Sequence, residues 1–118
     1  MSAHDLVDPS KRWVRMNFDR NHVGYVASGD RTDNVEEDWE TMLSTLDPAA
    51  MNYVHFKVND TESALLFLMS DRVSVSVKIR ANATKETFRN LIHANFCYEM
   101  DDLGVSIDIL RHRFPVMK

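Results

Sequence analysis

The apolar run Ala64–Met69 constrains the fold more than any other part of the sequence. It contains no polar position, so a strand formed by these residues must be covered on both faces of its sheet. The preceding segment Met51–Val58 alternates instead, with its apolar residues facing one way, and the short turn Asn59–Thr61 separates the two. These residues therefore predict the centre of a sheet that other layers cover on both sides.

A hairpin and a helix are predicted before this centre. Trp13–Phe18 alternates between apolar and polar residues, Asp19–His22 is turn-like, and Val23–Ala27 should pair back as the second strand. A helix follows, with Asn34 as its N-cap and Glu37 as the capping-box partner. The residues at helical spacing are Val35, Trp39, Met42, Leu43 and Leu46, and Pro48 closes the helix.

The segment Val73–Arg89 carries a basic pattern. Its period-two alternation predicts a strand with Val73, Val75, Val77 and Ile79 on one face and Ser74, Ser76, Lys78 and Arg80 on the other. A helix is then expected from about Ala83 to His93, with Phe88 among its inward-facing residues. Lys85 would lie in the first turn of that helix, where the helix dipole disfavours a cation. Such a local conflict is typical of functional sites.

The remaining segments complete the predicted order of elements. Asn95–Met100 is expected to form a last strand, and Ser106 is expected to cap a final helix that carries Ile107, Leu110 and Phe114. The order is strand, strand, helix, three strands, helix, strand, helix. We therefore predict an α+β fold, a single domain over residues 1–118 whose central mixed sheet of five to six strands is flanked by helices on both faces.

Composition excludes several classes of protein. The 118 residues are 44% hydrophobic and 27% charged, as in ordinary globular domains. Cys97 is the single cysteine, which excludes an internal disulfide and favours a reducing compartment. No apolar stretch could cross a bilayer, and the N-terminal residues lack a signal-peptide core, so a cytoplasmic protein without a membrane partner is expected. Monomer is the default expectation.

The charge is unevenly distributed along the chain. The net charge is -4, but residues 74–118 carry seven Lys/Arg against five Asp/Glu. The negative total argues against general nucleic-acid binding, while the basic end predicts a local surface for an acidic partner. The five histidines form no zinc pattern, the acids at 33–40 lack the rhythm of a calcium loop, and no nucleophile or phosphate-loop motif is present. We predict no metal, no cofactor and no enzymatic activity.

Several segments in order resemble the actin-depolymerising-factor homology family, and coactosins most of all. The matching pieces are the hairpin start Trp13–Phe18, the Ser28–Asp30 turn before the acidic helix, Tyr53–Val58 and the element Lys78–Leu91. In the last of these, a basic residue is followed by small residues and then by Thr and Lys, which lead into a long helix. The resemblance covers about residues 13–110 and implies binding to actin, filamentous rather than monomeric, in the cytoplasm and cytoskeleton.

The resemblance also implies which residues meet actin. The start of the long helix inserts between actin subdomains in this family, which carries the role over to Lys78, Ile79, Arg80, Lys85 and Arg89. A second, filament-specific surface lies in relatives on the preceding strand pair and the C-terminal helix. Its counterparts in this sequence are Lys57, Asp60, Glu62, Arg111 and Arg113.

Three departures from the family pattern bear on the activity, and the N-terminal serine is a further point of comparison. Family members open with a longer helix, whereas Pro9 interrupts the few residues before Trp13, so the first helix is expected to be short or missing. Glu62 stands where coactosins have a basic residue important for filaments. Ser76 stands where depolymerising relatives often have a second lysine, which favours a coactosin-like role over severing. Ser2 resembles the regulatory serine of cofilins but lacks its sequence context.

Other interpretations of these residues stay open. Lys78 and Arg80 could be a solvated sheet face, and Lys85 and Arg89 a solvated helix face. Arg111 and Arg113 lie near the C-terminus of the predicted last helix, so both could stabilise that helix through its dipole. The alternative functions are a severing or monomer-binding factor like cofilin, a nucleic-acid module that uses the same basic patch, and a small enzyme of unrecognised type.

Overall fold

The computed structural model describes residues 10–19 and 22–118. Within these residues it contains five strands and three helices. The elements are β1 (Lys11–Asp19), β2 (His22–Asp30), α1 (Val35–Leu43), β3 (Asn52–Lys57), β4 (Ser63–Leu68), α2 (Val75–Leu91), β5 (Phe96–Met100) and α3 (Asp108–Arg111). The expectations for the first helix and for Ser2 concern residues 1–9, which lie outside the described part.

All five strands belong to one mixed sheet in the order β2-β1-β3-β4-β5. The hairpin β1–β2 and the neighbouring pairs β1–β3 and β3–β4 are antiparallel, whereas β4 and β5 are parallel. A parallel pair needs a long crossover, and α2 supplies it between β4 and β5. The predicted mixed sheet and its hairpin are confirmed, and the sheet has the lower of the two expected strand numbers.

Helices cover both faces of the sheet, as predicted. β4 is buried over residues 64–68 because its alternate side chains enter two different cores. One core joins Trp39 of α1 and Leu110 of α3 to the sheet, and the other joins Phe88 of α2 to the opposite face. The apolar run that predicted a doubly covered central strand is thus correctly interpreted.

The predicted strand over residues 73–80 is wrong, because α2 begins at Val75. Ser74 is the N-cap of this 17-residue helix, and its hydroxyl accepts a hydrogen bond of 3.3 Å from the backbone N–H of Val77. Val75 and Ile79 are β-branched, which favours a strand locally. The buried residues of α2 repeat instead at helical spacing, at Ala81, Thr84 and Phe88. The expected helix start at Ala83 was therefore two turns late.

The new boundary also corrects the position of Lys85. This residue lies in the middle of α2, not in its first turn, so the predicted conflict with the helix dipole is absent. The other caps are partly as expected. Asn34 caps α1 by accepting from the N–H of Glu37 at 3.1 Å, but the N–H of Asn34 donates to the Thr32 hydroxyl. Helix α1 ends at Leu43, before Pro48.

The short helix α3 also differs from its prediction. It covers only Asp108–Arg111, and Ile107 is its N-cap residue. The predicted cap, Ser106, lies one position before this N-cap residue, and its hydroxyl accepts a hydrogen bond of 3.2 Å from the N–H of Asp108. Leu110 and Phe114 are buried against the core, as expected.

Arg12 of β1 joins segments that are distant in the sequence. Its side chain is fully buried, and its Nε donates to Asp38 Oδ2 of α1 at 2.9 Å. Its other nitrogens donate to the backbone oxygens of Lys57, Lys118 and Thr32. Burial alone would raise the pKa of Asp38, but hydrogen bonds from Thr32 and Arg12 outweigh it and lower that pKa. The ion pair is therefore present at neutral pH.

Candidate functional site

Two large apolar side chains are exposed on the first turns of α2. Val75 is 71% exposed and Ile79 is 64% exposed. Residues four apart lie on the same side of a helix, so the two side chains form one apolar ridge that points away from the sheet. Exposed β-branched residues gain nothing for the fold, and an apolar patch on a rigid helix is typical of a docking surface.

Lys78 and Arg80 stand on either side of this ridge. Successive helix residues are about 100° apart, so the residues before and after Ile79 project to opposite flanks. The strand prediction placed these two cations on one face, and the helix corrects that arrangement. Across residues 10–19 and 22–118, neither Lys78 nor Arg80 has an ion-pair partner. Both charges remain available to an external carboxylate.

Lys85 and Arg89 are held against the sheet instead. Lys85 Nζ lies 2.8 Å from Glu99 Oε2, and Arg89 Nη2 lies 3.0 Å from Glu99 Oε1. Arg89 also pairs with Glu86 at 3.2 Å, and both cations lie over the ring of Phe67. The hydrogen bond from Lys85 is the main cause that lowers the pKa of Glu99. These two cations are thus engaged within the chain.

Aromatic contacts fix the position of α2 on the sheet. The Tyr53 ring of β3 stacks on Phe88 with centroids 4.0 Å apart and meets Phe67 edge-on at 5.7 Å. The Tyr53 and Thr84 hydroxyls form a hydrogen bond of 2.5 Å. Burial raises the pKa of Tyr53, so its hydroxyl keeps its proton at neutral pH. The ridge of Val75 and Ile79 is therefore carried on a helix with little freedom to shift.

The predicted second surface divides into two places. Lys57, Asp60 and Glu62 lie together at the end of β3 and in the turn before β4. Asp60 pairs with Arg31 Nη1 at 2.6 Å, and Glu62 Oε1 accepts from Asn59 Nδ2 at 3.0 Å. The C-terminal segment joins this turn, since Lys118 N donates to Val58 O at 2.8 Å and Asn59 Nδ2 donates to Val116 O at 2.8 Å.

The two C-terminal arginines have separate contacts. Arg111 pairs with Asp108 at 2.8 Å and with Glu36 of α1, so it joins α3 to α1. Arg113 lies outside α3, with its guanidinium 4.9 Å from the centre of the Phe96 ring. The hydrogen bonds that Arg111 donates to the carboxylates of Glu36 and Asp108 raise the pKa of Arg111. The stabilising interpretation of Arg111 therefore has direct structural support, through side-chain pairs and not only through the helix dipole.

Among residues 10–19 and 22–118, no group of three His, Cys, Asp or Glu side chains could hold a metal ion. No helix in the same part of the chain is long and apolar enough to span a membrane.

Comparisons with known proteins give matches in structure alone. No protein-family model matches the sequence, and neither does any curated protein. Among solved structures, Eh twinfilin matches with a TM-score of 0.74 and 21% identity over 93% of this chain and 91% of that protein. Plasmodium berghei actin depolymerization factor 2 matches with a TM-score of 0.73 and 10% identity over 93% and 86%. The chain has the actin-depolymerising-factor homology fold.

Coactosin-like proteins share this homology fold. The human coactosin-like protein matches with a TM-score of 0.72 and 11% identity over 94% of this chain and 80% of that protein. The predicted fold, with coactosins among its structural neighbours, is confirmed. The three TM-scores lie within 0.02 of one another, so backbone shape does not separate the subfamilies.

Sequence reasoning missed two residues of this site. Val75 was expected on the apolar face of a strand and was not named as a site residue. Ile79, four residues later, was the signal that could have revealed the exposed ridge. Glu99 lies on a strand 14 residues beyond Lys85, and no local pattern could have paired them.

Proposed function

We propose that this protein binds actin through the first turns of α2 and regulates filament dynamics in the manner of a coactosin. The observation that carries the proposal is the apolar ridge of Val75 and Ile79 between two cations without ion-pair partners in the described chain. The homology fold, which includes an actin depolymerization factor and coactosins, supports actin as the partner.

The chemistry of the ridge suits an apolar cleft rimmed by acids. Burying an exposed Val or Ile side chain contributes on the order of 1.5–3 kcal/mol to association. Lys78 and Arg80 add orientation and association rate more than affinity, because they stay at the rim of the contact. The ridge would thus be the apolar anchor in the cleft, and the two flanking cations would orient the helix as it binds. Binding, not catalysis, is the function proposed.

Filament binding is proposed over severing on the basis of Ser76. Ser76 occupies the place where depolymerising relatives often carry another lysine, so the first turns of α2 carry less positive charge. The second surface would contribute through Lys57, which lies at the end of β3, while Asp60 and Glu62 are engaged with Arg31 and Asn59. A filament-specific contact at this turn is therefore expected to be weak.

Co-sedimentation with filamentous actin tests the proposal. The wild-type chain should pellet with filaments at micromolar concentrations. Ile79→Ala should raise the dissociation constant for filaments about tenfold, since the loss of a buried anchor costs roughly 1–2 kcal/mol. The double variant Lys78→Ala with Arg80→Ala should also weaken binding, most strongly at low salt. A wild-type chain that stays in the supernatant would refute filament binding.

Val26→Ala provides the matched control for Ile79→Ala. Val26 is also an exposed apolar residue but lies on the edge strand β2. It should leave pelleting unchanged. If both alanine variants pellet like the wild type, the ridge is not the anchor even though the chain binds filaments. A dilution-induced depolymerisation assay then separates the subfamilies, because a side-binding protein slows filament loss and a severing protein accelerates it.

A further inference from the structure

Three cations of α2 are placed as a basic stripe. Lys78, Lys85 and Arg89 are spaced by seven and four residues, and these spacings return to the same side of a helix. Such a stripe, continued over three turns, is the usual electrostatic footprint for a polyanion such as a nucleic-acid backbone. The sequence of α2 by itself therefore suits two different partners, a small acidic cleft and an extended polyanion.

Glu99 interrupts this stripe. Each of its two carboxylate oxygens pairs with one cation, Lys85 at 2.8 Å and Arg89 at 3.0 Å. Arg89 also forms an ion pair with Glu86. Two cations and two carboxylates make this flank electrically neutral. Only Lys78 remains of the stripe, next to the ridge of Val75 and Ile79.

The pairing is also fixed in space. The Lys85 side chain is only 12% exposed, and both cations lie over the Phe67 ring, at 6.0 Å for Lys85 and 5.4 Å for Arg89. Reaching an external anion would require each cation to leave both Glu99 and the ring. Of the three cations that the sequence places on this side of the helix, only Lys78 is therefore accessible to a phosphate backbone.

We infer that Glu99 is a specificity-determining residue that excludes extended polyanions from the docking helix by neutralising Lys85 and Arg89. The remaining surface, an apolar ridge with a cation on each flank, accepts a protein cleft with a few carboxylates. This inference rests on the proposed function only in treating α2 as the docking surface. The lowered pKa of Glu99 supports it, because the carboxylate stays charged at neutral pH.

Oligonucleotide binding tests this role without actin. Glu99→Gln keeps the shape of the side chain and removes its charge, whereas Glu40→Gln removes an exposed charge from α1 on the opposite face of the sheet. Binding of a fluorescent single-stranded oligonucleotide is measured by anisotropy at several salt concentrations. Each freed cation should steepen the slope of log K against log salt by about 0.7, so Glu99→Gln should gain up to about 1.4.

Glu40→Gln should bind as weakly as the wild type. Adding Lys85→Gln and Arg89→Gln to the Glu99→Gln variant should abolish its gain. Glu99→Gln binding no more tightly than Glu40→Gln would overturn the inference. Far-UV circular dichroism of each variant checks that α2 is intact.

A second pair of variants decides the matter if Glu99→Gln alone does not fold. In the wild-type background, four substitutions are made together, Lys85→Gln, Arg89→Gln, Glu86→Gln and Glu99→Gln. They should leave oligonucleotide binding within about twofold, because the four charges removed sum to zero. Lys78→Gln with Arg80→Gln should remove the residual binding. The opposite ranking would refute the inference. An absence of actin binding would refute the proposed function alone, since these measurements contain no actin.

Discussion

Asp38→Asn is expected to destabilise the protein by about 3 kcal/mol, since removing one partner of a buried ion pair leaves the other charge uncompensated. Arg12 is fully buried, and its remaining partners would be backbone oxygens. Asparagine fits the same space. Its oxygen can still accept from Arg12 Nε, and its amide can donate to the Thr32 hydroxyl that now donates to Asp38 at 2.7 Å. The substitution therefore isolates the charge.

Urea unfolding measures this effect. With a slope of about 1.5 kcal/mol per molar urea, the loss corresponds to a midpoint lower by about 2 M. Glu40→Gln on the same helix is the control and should change the free energy of unfolding by less than about 0.5 kcal/mol, because Glu40 is exposed. A loss below about 1 kcal/mol for Asp38→Asn would refute the assigned role of the ion pair.

The pH dependence provides an independent check on Asp38. The pKa of Asp38 is lowered in the folded state from its ordinary value of 3.8. Its stabilising contribution is therefore complete above that value and disappears as the pH falls through the lower folded pKa. The stability difference between wild type and Asp38→Asn should be constant near neutrality and shrink below about pH 3.8. A difference that does not change with pH would contradict the charge-based explanation.

Substitutions at three further positions test the docking helix and its support. Ser74→Ala should cost about 1 kcal/mol in thermal or urea unfolding because the N-cap of α2 is lost, whereas Ser74→Asp should not. Tyr53→Phe should cost about 1 kcal/mol through the hydrogen bond to Thr84, and ultraviolet titration of the wild type should show one tyrosine ionising above the ordinary value of 10.0. Ile79→Ala should not lower the melting temperature, because alanine is the better helix former at this exposed site; a lower value would mean that Ile79 serves the fold.

The sheet was predictable because its strands carry their own patterns. The apolar run of β4 and the alternation of β1 identify buried and half-buried strands without any knowledge of the neighbours. The start of α2 was not predictable in this way. Its first turns alternate and contain β-branched residues, so the local pattern favours a strand, and only the parallel pairing of β4 with β5 requires a crossover there.

The candidate site was only partly predictable for a related reason. The resemblance pointed to the residues Lys78, Ile79 and Arg80, but their mutual arrangement depended on the secondary structure assigned to them. As a helix, the segment exposes Ile79 and separates the two cations. Lys85 and Arg89 lie on a helix and Glu99 on a strand, and the two elements meet only in the folded protein, so the sequence could not indicate these ion pairs.

Hydrogen–deuterium exchange in the presence of filamentous actin tests the central claim most directly. The amides at the start of α2 have no helical acceptor and should exchange quickly in the free protein. With actin bound, we expect protection over residues 75–82, while α1 on the opposite face of the sheet keeps its exchange rates. Protection of α1 with no change in residues 75–82 would contradict the claim that this protein docks on actin through the ridge of Val75 and Ile79.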